Sequence, residues 1–101
     1  MSLSKTFFGC RGLLLMLLVT MAACGTAPVQ EMSEARQAIE AARIAGAEQH
    51  AGERFEHAST LLRDAQQLLN ERHFRDARRS ATQARDEAIL AREIAQQVQE
   101  P

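Results

Sequence analysis

The sequence ARRSATQARDEAILAREIA, residues 77–95, sets the architecture of this chain. Alanine recurs in it at alternating intervals of four and three residues, a heptad period that places these alanines on one side of an α-helix. The six positions, which we call the alanine seam, are Ala77, Ala81, Ala84, Ala88, Ala91 and Ala95. Because small side chains let a second helix approach closely, the seam predicts a packed helix over residues 75–98, about 36 Å long at 1.5 Å per residue.

Two arrangements would bury the alanine seam. The seam is either the inner face of a helical hairpin within the chain or the contact line of a coiled coil between chains. We adopt the first interpretation and leave the second open. The coiled-coil alternative would bring Glu87 beside Arg92 of a parallel neighbour, a pair typical of coiled-coil flanks.

Arginines follow the seam at intervals of seven residues. Arg78, Arg85 and Arg92 each come directly after a seam alanine and therefore lie along one flank of the helix. Guanidinium groups form bidentate pairs with carboxylates and phosphates, so these arginines are candidate contacts to an anionic ligand. The competing interpretation, which we favour, is a solvated face neutralised by neighbouring Glu and Asp.

Two further helices are predicted before residue 75. One covers residues 30–45 and ends before Gly46, and the other covers residues 53–70 and precedes a polar connection at residues 71–73. The apolar positions of the first are Met32, Ala35, Ile39 and Ala42. Those of the second are Phe55, Ala58, Leu62, Ala65 and Leu69, widened by Leu61 and Leu68. The fold class is therefore all-α, a small antiparallel helical hairpin or three-helix unit with Ala-rich, coiled-coil-like packing.

The predicted core is thin. Phe55 and Phe74 are the only aromatic residues after residue 23, and alanine supplies much of the apolar content. A buried methyl-sized group contributes only about 0.8 kcal/mol. We therefore expect marginal stability in isolation and support from self-association or a partner protein.

The first 23 residues have the organisation of a secretory signal peptide. A charged start with Lys5 and Arg11 precedes an apolar run at residues 13–19, which is too short to span a bilayer comfortably. Residues 21–25, MAACG, resemble the lipobox of bacterial lipoproteins, so we predict cleavage between Ala23 and Cys24 and lipidation, with acyl chains such as palmitate, on Cys24. The alternatives are an ordinary secretory leader with an incidental cysteine and an uncleaved membrane anchor.

These features divide the chain into a signal peptide (1–23), a lipidated cysteine with a flexible tether (24–29) and an Ala-rich helical domain (30–101). Cys10 leaves with the signal peptide, so Cys24 has no disulfide partner within the chain. Gly25 stands where an aspartate would retain many lipoproteins in the inner membrane. We therefore expect attachment to the outer membrane, facing the periplasm.

No residue pattern indicates catalysis or a cofactor. His50, Glu53 and His57 have a spacing that could serve a metal only if the helix began early, and we expect His50 in a turn and no metal site. A net charge of −1 gives no indication of nucleic-acid binding. We predict that the protein is not an enzyme.

The segment from Ala35 to Ala91 resembles a family of short, uncharacterised bacterial envelope lipoproteins known as domain of unknown function 4398. The shared features are an Ala-x-x-Ala helix, the Ala-Gly-Ala turn at residues 45–47, a Leu-rich helix and an aromatic before the Ala-Arg run, here Phe74. Relatives often have an aromatic and Ala-Pro after that turn, where this chain has His50-Ala51-Gly52. The last two predicted helices also look like one tetratricopeptide-type hairpin.

The resemblance implies a helical envelope lipoprotein and no particular activity. We expect a non-catalytic structural or adaptor protein, held on a membrane by its N-terminal lipid, that packs with an envelope protein or with itself. The alternative is a binding module in which Arg78, Arg85 and Arg92 contact peptidoglycan or another anionic envelope polymer.

Overall fold

The computed structural model describes residues 26–99, and within that range the chain forms four α-helices and no strand. We number them α1 (Val29–Ile44), α2 (Ala47–His50), α3 (Gly52–Asn70) and α4 (Phe74–Gln99). The all-α prediction is confirmed. The three predicted helices correspond to α1, α3 and α4, with each boundary within one residue of its predicted position.

The long helices form a three-helix bundle in which α4 packs along both α1 and α3. Arg78 near the start of α4 contacts Glu31 near the start of α1, and Gln99 at the end of α4 contacts Ala45 just after α1. These two helices therefore run parallel. The helix between them, α3, runs antiparallel to both, with Arg54 at its start contacting Glu87 in the second half of α4.

We call the two ends of this bundle proximal and distal. The proximal end carries Thr26, the start of α1, the end of α3 and the start of α4. The distal end carries α2, the start of α3 and Gln99. In residues 26–99 no helix is both long and apolar enough to cross a membrane.

Alanine forms most of the core. The alanines that face inward from all four helices have 0% of their surface exposed, including every position of the alanine seam. In the distal half, Ile39 and Phe55 pack in one cluster with Ala88 and its seam neighbours. In the proximal half, Met32 packs with Ala65 and Ala81.

The leucines of α3 contribute less to the core than the sequence indicates. Leu61, Leu62, Leu68 and Leu69 are only half-buried, although Leu62 contacts both clusters and Leu69 contacts the proximal one. Alanines on both helices allow a short interhelical distance, which leaves no room for a larger side chain on the line of closest approach. The leucines therefore lie along the edges of the α3–α4 contact.

Gly46 ends α1 as predicted, because it adopts the left-handed conformation (φ 87°) that favours glycine at a helix end. Its N–H donates to the carbonyl of Arg43 at 3.0 Å. The chain then forms α2, a single turn that the sequence analysis missed. His50, expected in a turn, is the last residue of this short helix.

A second left-handed residue, Arg72 (φ 64°), lies in the connection between α3 and α4. The His73 N–H donates to the carbonyl of Leu68, and the Arg72 N–H donates to that of Leu69. This is the Schellman pattern, in which glycine is the usual residue at the left-handed position. Arginine there carries a conformational cost of about 1 kcal/mol.

The described part of the predicted tether, residues 26–28, contacts the bundle. The side chain of Pro28 is fully buried, and the carbonyl of Thr26 accepts a hydrogen bond from Arg78 Nη2 at 3.2 Å. The Met32 N–H donates to the Pro28 carbonyl, so Pro28 is the N-cap residue of α1. Residues 24 and 25, the rest of the predicted tether before Thr26, lie outside the described residues.

Candidate functional site

The alanine seam lies inside the bundle. All six seam alanines have 0% exposed surface. Four of them, Ala81, Ala88, Ala91 and Ala95, pack in the two core clusters with residues of α1 and α3 of the same chain. The seam is thus covered by the chain itself, in line with the intramolecular interpretation. A partner helix would reach the seam only if the bundle opened.

Two of the three arginines that flank the seam form ion pairs across the α1–α4 contact. Arg78 Nε lies 3.1 Å from Glu31 Oε1, and Arg85 Nη1 lies 3.2 Å from Glu34 Oε2. Arg85 also contacts Asp86 Oδ1 at 3.0 Å. The hydrogen bond to Asp86, followed by that to Glu34, raises the pKa of the Arg85 guanidinium. Both arginines are therefore already paired with internal carboxylates.

Arg92, the third arginine of this flank, is exposed and has no hydrogen bond or ion pair with another residue in the range 26–99. The reason lies on α1. The flank of α1 that carries Glu31 and Glu34 continues with Ala38 and Ala41, so no carboxylate follows at the level of Arg92. The three arginines consequently do not form one free basic stripe.

Glu87 occupies a different position from that expected in a coiled coil. Its Oε2 lies 3.1 Å from Arg54 Nη1 and 3.6 Å from His57 Nδ1, both on α3. The carboxylate that the coiled-coil alternative would place beside Arg92 of a neighbouring chain is thus half-buried and paired within the chain. Ser80 adds a second polar link between the same helices, because its Oγ donates to the Leu61 carbonyl at 2.7 Å.

The histidines do not assemble a metal site. Across the described part of the chain, no group of three or more His, Cys, Asp or Glu side chains is arranged to hold a metal ion. His50 and Glu53 instead line an open groove of about 310 Å³ between α2, α3 and Ile94 of α4. His57 faces Glu87.

Exposed apolar residues concentrate in the distal half of the bundle. Ile89 and Leu90 on α4 are 43% and 41% exposed, and Ile44 and Val98 near the ends of α1 and α4 are 80% and 58% exposed. Val29, at the proximal end, is the remaining large apolar residue with a mostly exposed side chain in the described range. The sequence analysis missed this distribution, because only the parallel course of α1 and α4 brings Ile44 to the same end as Val98.

A group of arginines at the proximal end was also missed. Arg72, Arg75 and Arg79 are all exposed, and their side chains make no hydrogen bond or ion pair with any residue between 26 and 99. The basic run RHFRDARR at residues 72–79 was the available signal. These arginines do not share the seven-residue period of the seam, so the heptad pattern does not indicate them.

Ala23 and Cys24, the predicted cleavage and lipidation residues, lie outside the described residues, as does the signal peptide. The nearest described residue is Thr26, which is held at the start of α4 by Arg78. Cys24 is therefore no more than about 7 Å from Thr26, because two residues span at most about 3.6 Å each.

Comparison with known proteins gives one match. No curated protein and no solved structure is similar to this chain. Residues 30–100 match the family model described as Domain of unknown function (DUF4398), which covers all four helices. The chain therefore belongs to the DUF4398 family.

Proposed function

We propose that this protein is a non-catalytic, lipid-anchored adaptor of the bacterial cell envelope, held on the outer membrane and facing the periplasm. The proposal of an anchor is supported by the lipobox-like MAACG at residues 21–25, directly after a charged and apolar leader. The segment that would link the lipid to the helical domain is short, because α1 begins at Val29. A chain lipidated at Cys24 would hold its helical domain close to the membrane surface.

The observation that carries the adaptor role is the exposed apolar surface of the distal half. Ile89 and Leu90 are adjacent on α4, on the part of the helix that α1 and α3 leave uncovered. Apolar surface that is removed from water contributes about 25 cal/mol per Å², so a partner that covered these residues would gain binding energy. Because the seam is buried, the partner would contact this outer surface rather than the alanines.

The anchor is tested by mass spectrometry of the protein extracted from the membrane fraction. We expect a chain that begins at Cys24 and carries a diacylglyceryl group on sulfur and a third acyl chain on nitrogen. A Cys24→Ser variant should keep its leader and lack these lipids. An unmodified Cys24 thiol in the processed protein would contradict the anchor.

The adaptor role is tested by placing a photo-crosslinking amino acid at Leu90 in cells. Gln83, which is exposed on the same helix but closer to the proximal end, is the matched control. We expect a discrete adduct from position 90 and none from position 83. An adduct of twice the protein mass would identify self-association, and equal adducts at both positions, or none at either, would contradict the proposal.

The alternative function, binding of peptidoglycan or another anionic polymer through Arg78, Arg85 and Arg92, has less support. Two of these guanidinium groups are paired with Glu31, Glu34 and Asp86. A sacculus pull-down separates the two functions. If less protein is retained when all three arginines are changed to Gln, polymer binding is favoured. Unchanged retention would exclude polymer binding through these arginines.

A further inference from the structure

The proximal end of the bundle presents a basic surface, which we call the proximal basic patch and define by Arg72, Arg75 and Arg79. Arg75 and Arg79 are one turn apart on α4 and lie on the side opposite the alanine seam. Arg72 lies in the connection just before this helix. Two carboxylates are nearby: Glu71 is engaged with Gln67 and His73, and Asp76, three residues before Arg79 on α4, forms no ion pair with any residue between 26 and 99.

The chain leading to Cys24 leaves the bundle beside this patch. Arg78 binds the Thr26 carbonyl through Nη2 and Glu31 through Nε, so residue 26 is fixed against the first turns of α4. Arg75 is three residues from Arg78, which corresponds to about 4.5 Å along the helix axis. A lipid on Cys24, within about 7 Å of Thr26, would therefore enter the bilayer next to the patch.

The outer side of α4 changes charge along its length. Arg75 and Arg79 stand at the proximal end, whereas Asp86 and Glu93 follow on the same side toward the distal end. An anionic surface would attract the first pair and repel the second. This gradient favours an orientation with the proximal end against the surface and the distal end away from it.

We propose that the proximal basic patch docks on the anionic phospholipid headgroups of the membrane that holds the Cys24 lipid. The inference rests on the proposed lipid anchor. Guanidinium groups pair with headgroup phosphates, and the patch arginines have no partner among residues 26–99 that must first be displaced. Docking would convert a single-point attachment into a fixed orientation and would direct Ile89 and Leu90 away from the bilayer.

The test uses the mature lipidated protein in two kinds of vesicle, one of phosphatidylcholine and one of an equimolar mixture of phosphatidylcholine and phosphatidylglycerol. Phenylglyoxal modifies exposed arginines, and peptide mass spectrometry gives the rate at each. We expect the three patch arginines to react about fivefold more slowly in the anionic vesicles, since each basic residue near such a surface gains roughly a fivefold preference. High salt should abolish the difference, whereas Arg92, in the distal half, should react equally in both vesicles.

A pair of double variants supplies the control. In Arg75→Gln/Arg79→Gln we expect Arg72 to lose its protection in anionic vesicles. In Arg54→Gln/Arg92→Gln, which makes the same change in net charge in the distal half, Arg72 should stay protected. Equal rates for the patch arginines in both vesicle types would overturn the proposal. Protection by inorganic phosphate in phosphatidylcholine vesicles would also overturn it, because it would identify a small-anion site.

The lipid anchor is checked in the same sample by intact mass. If Cys24 carries no lipid, the proposed anchor fails, and the patch is then tested by co-sedimentation of the unlipidated protein with anionic vesicles. Binding that is lost in Arg75→Gln/Arg79→Gln but kept in the control variant would retain the patch as a membrane-docking surface. If the unlipidated protein does not bind the vesicles, both the lipid anchor and the membrane-docking role of the patch are contradicted.

Discussion

Ala88→Leu tests whether the alanine seam is the packed interior of a single chain. Ala88 has no exposed surface and packs in the distal cluster with Ile39, Phe55 and Ala58. Leucine adds three heavy atoms where the structure has no space, so neighbouring side chains or α3 itself must move. Overpacking of this kind costs about 1–3 kcal/mol. That is a large part of the roughly 4–11 kcal/mol expected for a domain of this size.

The consequence is measurable as a melting temperature. For a small domain each kcal/mol lowers it by about 4–8 °C, so Ala88→Leu should melt roughly 4–24 °C below the wild type when circular dichroism follows the purified protein in mild detergent. Gln97→Leu, on the exposed side of the same helix, is the matched control and should change stability by less than about 0.5 kcal/mol.

The opposite result would refute the reasoning. Leucine at a heptad position strengthens a coiled coil between chains. A higher melting temperature for Ala88→Leu, or one that rises with protein concentration, would therefore show that the seam is an intermolecular surface.

Three further substitutions examine the turns and the distal cluster. Gly46→Ala should lower stability by about 1–2 kcal/mol in thermal melts, because the residue is left-handed and the new Cβ would lie 2.8 Å from Gln99 Nε2. Adding Gln99→Ala should recover part of this loss by removing the close contact. Full recovery would show that the left-handed backbone costs nothing and would contradict this prediction. Arg72→Gly should raise stability by about 0.5–1 kcal/mol in urea titrations by removing the left-handed strain, and a loss would show that the arginine side chain stabilises the turn. Phe55→Ala should cost about 3–5 kcal/mol and leave the protein largely unfolded at 37 °C by circular dichroism, and a cooperative melt close to wild type would contradict the role given to this ring.

The long helices could be predicted from the sequence because each buries one periodic face. The spacing of Met32, Ala35, Ile39 and Ala42 in α1, and of the seam in α4, identifies the buried side without knowledge of the partner helix. Helix ends followed from Gly46 and from the polar run at residues 71–73. By contrast, the single turn of α2 is too short to show any period.

The surface could not be predicted in the same way, because it depends on contacts between distant parts of the chain. Arg78 and Arg85 are paired only because α1 runs parallel to α4 and brings Glu31 and Glu34 beside them. The same arrangement places Ala38 and Ala41, rather than a carboxylate of α1, on the flank that faces Arg92. The position of Thr26 likewise depends on α4, because its carbonyl accepts a hydrogen bond from Arg78.

The parallel course of α1 and α4 also gives the bundle the properties of a spacer. Thr26 and Gln99 lie at opposite ends, and the 26 residues of α4 extend for about 39 Å. If the proximal end rests on a bilayer, a group attached after Gln99 stands about 4 nm above that surface. The rigid helix would then set the height at which any distal contact occurs, and a fluorophore placed there would report that height by energy transfer to labelled lipid.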